Sequence, residues 1–155
     1  MKDRRTALKA LAALTTGMLV PFKGINGIFN SPTDRIGELL PLRYLGNTGE
    51  QVTMLGLGGA HVARVEEKVA AAQIELAIES GIRFFDTAHM YGNGLSERRY
   101  SKYLIPKYRD ISFIMTKTTA TTGKEALTEL ETSLKGLNVD YVDLWQVHVI
   151  TSPQG

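Results

Sequence analysis

Strand-like and helix-like segments alternate regularly along this chain, and only a few classes of fold are built from such an alternation. Short stretches rich in branched and aromatic residues occur at residues 51–57, 82–85, 111–115 and 141–150. Between them, apolar residues recur every three or four positions, which is the period of a helix that packs by one face. Strands alternating with helices of ten to fifteen residues predict parallel βαβ units with right-handed crossovers, so the expected fold class is α/β.

Two helical segments carry clear apolar stripes. The first stripe consists of Val65, Val69, Ala72 and Leu76, and Gly81 follows as a C-terminal stop. The stripe of the last helix consists of Leu127, Leu130, Leu134 and Leu137. Another helix is predicted to begin at Ser96, whose hydroxyl group can cap it. Ahead of these units, two β-prone runs around Asn47, Thr48 and Gly49 predict a β-hairpin.

Four polar side chains follow or end the predicted strands. Asp86, Lys117 and His148 each stand at a strand end, and Tyr91 lies in the loop after Asp86. In a parallel βα barrel the carboxyl ends of the strands converge on one mouth, so residues distant in sequence can share a site. We therefore expect these four side chains to meet.

Around these residues the chain resembles the aldo-keto reductase family, from about residue 41 to His148. The most specific motif is Asp-Thr-Ala-x-x-Tyr-Gly at residues 86–92, followed by the lysine and the histidine in the same order. The resemblance implies the N-terminal half of a (β/α)8 TIM barrel preceded by a β-hairpin. It also implies the reduction of aldehydes or ketones to alcohols, with NADP(H) or NAD(H) as the cofactor and a small-molecule carbonyl as the substrate.

The resemblance assigns a role to each of the four residues. Reduction of a carbonyl by hydride requires a proton for the developing alkoxide, and Tyr91 is the expected general acid. A neighbouring ammonium favours the phenolate of a tyrosine, and a carboxylate keeps that ammonium charged and in place. Lys117 and Asp86 are the expected pair. A neutral His148 is expected to orient the substrate oxygen.

Other residues are expected to support the site. Gly58 and Gly59 lack side chains that would obstruct a cofactor, so they are candidate cofactor contacts, although a tight βα turn can also require glycine for backbone reasons alone. His61 and His89 are candidates for lining the substrate pocket. Glu97 matches a family position in the second helix and is expected to be structural.

The first forty residues differ in composition from the rest. Arg4 and Arg5 precede about eleven mostly apolar residues, a pattern that resembles a twin-arginine export signal at residues 1–20. Residues 21–40 are expected to be a linker, and residues 41–155 the barrel domain. This predicts export to the periplasm, or a membrane tether if the leader stays uncleaved. The alternative is an amphipathic helix or a misplaced start in a cytoplasmic protein.

Length and charge set further limits. Residues 41–155 are nearer half a barrel than the roughly 250 residues of a whole one, so we expect a fragment of a longer reductase, or half-barrels that self-associate. The net charge of +2 does not indicate nucleic-acid binding. The first 30 residues contain five basic residues and one acidic residue, so the positive charge comes from this segment and not from the rest of the chain. The chain has no cysteine, which excludes disulfides and thiolate chemistry.

Two functions from other classes remain as alternatives. Because the resembling family also includes channel-associated proteins, the chain can instead be a non-catalytic, nicotinamide-binding regulatory subunit. A metal-dependent barrel hydrolase would use His61, His89 and His148, which all stand near predicted strand ends. No close His-x-His pair is present and the polar residues fit a reductase better, so no metal site is predicted.

Overall fold

The computed structural model describes residues 31–150 of the 155-residue chain. The predicted export leader, and the first part of the predicted linker, lie outside the described residues. None of the helices in the described part is long and apolar enough to cross a membrane.

The described residues form six strands and five α-helices, joined by loops. The strands are β1 (Leu42–Tyr44), β2 (Gln51–Thr53), β3 (Gly56–Gly58), β4 (Phe84–Asp86), β5 (Phe113–Thr118) and β6 (Leu144–Val147). The helices are α1 (Gly59–Arg64), α2 (Glu67–Glu79), α3 (Leu95–Tyr103), α4 (Ile105–Tyr108) and α5 (Gly123–Leu137), with a short 3-10 helix at Arg109–Ile111. Helix α1 was not predicted from the sequence.

The strands form two sheets. Strands β1 and β2 pair antiparallel, with Leu42 opposite Thr53, which confirms the predicted hairpin. The other four strands lie in the order β3, β4, β5, β6 and are all parallel. Each neighbour in this sheet is the next strand along the chain, and a helical segment covers every crossover. The α/β class and the parallel strand order are therefore as predicted.

The core lies between the parallel sheet and its helices. Its buried side chains include Phe85 and Ile114 from the strands, and Tyr100, Leu104 and Leu137 from the helices. Ring contacts support it, because Phe85 and Tyr100 meet edge to face with centroids 5.8 Å apart.

The first apolar stripe expected from the sequence is largely turned away from this core, and the second is buried only in part. In α2 the buried positions are Ala70, Ile74, Ala77 and Ile78, whereas Leu76 of the predicted stripe is 62% exposed. Leu127 of α5 is 59% exposed, and only Leu137 of its stripe is fully buried. Helix α2 carries apolar residues on two faces, so helical periodicity alone could not select the face that meets the sheet.

The chain before the hairpin closes the amino-terminal end of the sheet. Asp34 forms an ion pair with Arg83, which immediately precedes β4, and its Oδ1 lies 3.0 Å from Arg83 Nη2. The backbone of Leu40 donates to Gly81 O at 3.0 Å. Gly81 has a φ of +80°, and a Cβ there would lie 2.7 Å from Glu38 O. Residues 31–40, assigned to the linker by composition, therefore form part of the base of this domain.

Candidate active site

The structure brings the four predicted residues together at the carboxyl ends of the parallel strands. Asp86 is the last residue of β4, and Lys117 lies one residue before the end of β5. His148 directly follows β6, and Tyr91 lies in the loop between β4 and α3. Because β4, β5 and β6 are neighbours with the same direction, their ends place these side chains at one edge of the sheet.

Lys117 contacts three other residues of the site. Its ammonium group donates to the carboxylate of Asp86. It also donates to the carbonyl oxygen of Thr87 at 2.9 Å and to the hydroxyl oxygen of Tyr91 at 3.2 Å. The Lys117 side chain is only 7% exposed, so the ammonium depends on these acceptors to replace water. A cation that is paired with a carboxylate and contacts a phenol is thus held in one position.

Tyr91 and His148 form the other half of the site. Their rings meet edge to face, with centroids 5.6 Å apart and planes at 90°. The backbone N–H of His148 donates to Thr118 O at 2.7 Å, which extends the β5 and β6 ladder beyond β6. The Nδ1 atom of His148 is buried and has no partner among the described atoms. The geometry thus presents a phenol and an imidazole side by side.

Helix α3 fastens the strand ends from behind. The hydroxyl group of Thr87 donates to Ser96 Oγ at 2.8 Å, and that of Thr116 donates to Glu97 Oε1 at 2.9 Å. One turn later, the hydroxyl group of Tyr100 donates to Leu57 O at 3.1 Å. We call Ser96, Glu97 and Tyr100 the α3 clamp, because these three buried side chains hold the ends of β3, β4 and β5.

Tyr100, the last of the three residues of the α3 clamp, has a phenol group that stays neutral. Burial, together with the charge of Asp86, raises the pKa of Tyr100 well above the ordinary value for a phenol. Tyr100 therefore stays protonated and acts as a donor to the backbone. Among these residues the sequence pointed to Glu97 as a structural residue and to Ser96 as a helix cap. The helix instead begins at Leu95 after Gly94, with no side-chain cap, and the Ser96 hydroxyl group contacts Thr87. The signal that could have found the rest is the alternation along a strand, because Thr87 and Thr116 adjoin Asp86 and Lys117 and so point to the helix layer.

The two candidate glycines differ in their surroundings. A Cβ at Gly58 would meet nothing within 4 Å, so this position leaves open space beside the strand end. A Cβ at Gly59 would lie 2.4 Å from Ser96 Oγ and 2.5 Å from Asp86 O. Gly59 is thus needed for the close packing of α1 on α3 and β4, whereas the open space at Gly58 fits the approach of a cofactor.

The two remaining candidate histidines are also separated. His61 is exposed on α1. His89 lines a cavity of about 350 Å³ together with Lys117, Met90 and Thr119, and with residues of α5. The carboxylate of Glu129 from α5 shapes this cavity, because it accepts from the hydroxyl group of Thr118 and the backbone of Thr119. These donors lower the pKa of Glu129.

The three histidines do not form a metal site in this arrangement. Within residues 31–150, no group of three or more His, Asp or Glu side chains is placed to hold a metal ion. His89 instead contacts Glu97, and His148 contacts Tyr91. The site contains a buried ammonium, a carboxylate, a phenol and an imidazole. Groups of these types can transfer a proton.

Comparison with known proteins identifies the class. The sequence profile described as "Aldo/keto reductase family" matches residues 54–153. Aldo-keto reductase YhdN of Bacillus subtilis is 35% identical over 121 residues, which cover 67% of this chain and 36% of that relative. L-galactose dehydrogenase of Arabidopsis thaliana is 34% identical over 123 residues, covering 72% of this chain and 39% of that relative.

Solved structures agree with this assignment. The thermostable aldo-keto reductase Tm1743, in complex with the inhibitor epalrestat, has a TM-score of 0.66 and 31% identity. The match covers 74% of this chain and 44% of that one. An aldo-keto reductase from Klebsiella pneumoniae in complex with NADPH has a TM-score of 0.53 and 30% identity, covering 66% of this chain and 37% of that one.

The chain belongs to the aldo-keto reductase family. It spans a little over a third of the length of the curated relatives cited above. The four-stranded parallel sheet with its covering helices is accordingly a partial (β/α)8 barrel, as the resemblance implied.

Proposed function

We propose that this chain supplies the proton-transfer half of a reductase that converts aldehydes or ketones to alcohols with NADP(H) or NAD(H). The observation that carries the proposal is the ammonium of Lys117, which is shared between Asp86, Thr87 O and Tyr91 Oη. The ammonium donates to the phenol oxygen at 3.2 Å, so its positive charge lies next to the atom on which negative charge develops as Tyr91 gives its proton to an alkoxide.

The chain's own residues divide the work. Asp86 pairs with the ammonium of Lys117 and holds it in position, and Lys117 stabilises Tyr91 as it gives up its proton to the substrate oxygen. His148, beside Tyr91, orients that oxygen by a hydrogen bond. Gly58 leaves room for the nicotinamide cofactor, which supplies the hydride when bound. The α3 clamp holds Asp86 and Lys117 in register.

The proposal is tested by following NADPH oxidation by the purified full-length gene product with simple aldehydes and ketones. In Tyr91→Phe only the proton donor is lost, so we expect most of the turnover to disappear while cofactor affinity stays nearly the same. Tyr44→Phe, at a tyrosine that is 68% exposed on β1, is the matched control. Equal turnover in both variants would remove Tyr91 from its role. Cofactor binding without turnover of any carbonyl would instead support the regulatory-subunit alternative.

We also propose that residues 1–20 act as an export signal of the twin-arginine type and take the protein to the periplasm or tether it to the membrane. The support is the Arg4 and Arg5 pair followed by a short apolar segment. Fractionation of cells that express the chain should place it outside the cytoplasm, and replacement of both arginines by lysine should retain it inside. A cytoplasmic location for both forms would contradict the proposal.

Finally, we propose that copies of this chain self-associate through the two outer edges of the parallel sheet. Among residues 31–150, no strand pairs with the outer edge of β3 or of β6. At the outer edge of β6, the apolar side chain of Val147 is 54% exposed. Such edges pair readily with other strands. Light scattering should give at least a dimer, and a monomer at all concentrations would exclude this assembly.

A further inference from the structure

Glu129 holds the chain at the point where β5 leaves the sheet. This glutamate lies on α5, and its Oε2 atom accepts from the hydroxyl group of Thr118 at 2.7 Å and from the backbone N–H of Thr119 at 2.8 Å. Its Oε1 atom accepts from the hydroxyl group of Thr119 at 3.1 Å. One half-buried carboxylate therefore binds three donors from the two residues that directly follow Lys117.

The peptide group between Thr118 and Thr119 connects this carboxylate to His148. Its carbonyl oxygen accepts from the backbone N–H of His148 at 2.7 Å, while its N–H donates to Glu129. The peptide bond is trans and planar, so its C=O and N–H groups point in opposite directions. An acceptor that fixes the N–H group thus also fixes the direction of the carbonyl group, and with it the donor on the other side.

This contact lies at the very end of the ladder between β5 and β6. Thr118 and Val147 are the last residues that the register pairs, and His148 follows them. At Val149 the backbone enters the left-handed region, with a φ of +59°, so the strand does not continue past His148. In the described part of the chain, His148 is located by this backbone contact and by its ring contact with Tyr91.

The charge of the carboxylate strengthens the contact. The donors lower the pKa of Glu129, so the group is an anion at neutral pH. Hydrogen bonds that share a peptide group polarise one another, and those to an ionised group are the stronger ones. A negative charge beside the N–H end of the peptide group therefore makes its carbonyl oxygen a better acceptor for the N–H of His148.

We propose that Glu129 is a positioning residue for His148 and acts through the peptide group between Thr118 and Thr119. The inference rests on the proposed function, in which His148 orients the substrate oxygen. Helix α5 thus supports the site on one side of Lys117, as the α3 clamp does on the other. Glu129 keeps the imidazole of His148 beside the phenol that gives the proton.

The contact is tested first by amide hydrogen exchange of the full-length gene product, without any substrate. Glu129→Gln keeps the size of the side chain but removes its charge and one acceptor oxygen. We expect the His148 amide to exchange roughly tenfold faster, as for the loss of one hydrogen bond to a charged group. The Asp143 amide, which donates to Ile114 O at the opposite end of the same ladder, should keep its rate. Glu131→Gln, at an exposed acid of α5, is the matched control and should change neither rate.

An unchanged rate at His148 in Glu129→Gln would overturn the proposal. So would an equal increase at the His148 and Asp143 amides, because Glu129 would then stabilise the whole domain rather than the end of the ladder.

Carbonyl reduction then tests whether Glu129 acts through His148. The same full-length gene product is compared as Glu129→Gln, as His148→Gln and with both substitutions. We expect Glu129→Gln to lower kcat/KM for the carbonyl roughly 3- to 10-fold while NADPH affinity stays the same, because the substrate oxygen is less well aligned. In the His148→Gln background the same substitution should have little further effect, because the two residues act as a unit. Fully additive losses would overturn the proposal.

The two tests separate this inference from the proposed function. Amide exchange does not depend on hydride transfer. If no carbonyl were reduced, the proposed function would fail, and the exchange rates would still decide whether Glu129 holds His148 in place.

Discussion

The hydroxyl groups of Thr87 and Ser96 lie 2.8 Å apart, and both side chains are completely buried. This contact joins the residue after Asp86 to the first turn of α3. The neighbouring contact between Thr116 and Glu97 joins the residue before Lys117 to the same turn. The ion pair of Asp86 and Lys117 is therefore supported by two contacts behind the sheet, in addition to the ladder that pairs β4 with β5.

Gly59→Ala should destabilise the domain. The new Cβ would fall 2.4 Å from Ser96 Oγ and 2.5 Å from a backbone oxygen of Asp86 that cannot easily move. Overpacking of this kind costs about 1–3 kcal/mol. Gly58→Ala is the control, because a Cβ at Gly58 has open space. Urea unfolding followed by circular dichroism measures both, and equal midpoints would contradict the packing role of Gly59.

Thr116→Val should also lower the free energy of unfolding. The substitution keeps the shape of the side chain but removes the hydroxyl donor to Glu97, which leaves one carboxylate oxygen of a fully buried group without that partner. The expected cost is about 1–3 kcal/mol. Thr121→Val, at an exposed position, provides the comparison in the same denaturation experiment. A cost no larger than that of Thr121→Val would show that the bond contributes little.

The ion pair of Asp34 and Arg83 should make stability depend on pH in the acid range. The hydrogen bond from Arg83 is the main reason that the pKa of Asp34 is lowered to about 2, from 3.8. Its contribution is fully present above about pH 4 and is lost as the pH falls toward 2, because the folded state then takes up the proton less readily than the unfolded state. The loss should be about 2 kcal/mol, given a side chain only 16% exposed.

The measurement for this pair is the unfolding free energy of the native chain and of Asp34→Asn between pH 5 and pH 2, a range set by the two pKa values. The difference between the two proteins should shrink as the pH falls. Asp140→Asn, at an exposed acid, is the control and should follow the native protein. A difference that stays constant with pH would show that Asp34 acts through packing rather than through its charge.

Lys117→Met should reduce turnover in the carbonyl reductase assay by roughly 10²- to 10⁴-fold, the range for a group that assists proton transfer. The methionine fills the space of the lysine stem but cannot donate to Tyr91 or to Thr87 O. Lys102→Met, at an exposed lysine of α3, controls for the loss of a surface charge. Turnover within a few-fold of the parent chain would exclude Lys117 from the proton-transfer step.

Much of the fold followed from local patterns. The strand and helix alternation gave the parallel order, because each strand had to return to the sheet beside the previous one, and Gly81 gave the end of α2 through its positive φ. Helix α1 was missed because it contains only six residues, too few for periodicity to be visible. The buried face of α2 was missed because the helix carries apolar residues on two faces, with Ile74 and Ile78 on the buried one and Leu76 on the exposed one.

By itself, the sequence determined the strands, the longer helices, their order and the four polar residues at the strand ends, since these depend on period, turn residues and a short motif. Only the tertiary structure decided how these residues are connected. Lys117 donates to Tyr91, and the α3 clamp contacts the ends of the strands. Asp34 pairs with Arg83 at the other end of the sheet, and His89 contacts Glu97. Such contacts join residues distant along the chain, and which partner each buried polar group takes depends on packing in three dimensions rather than on any local pattern.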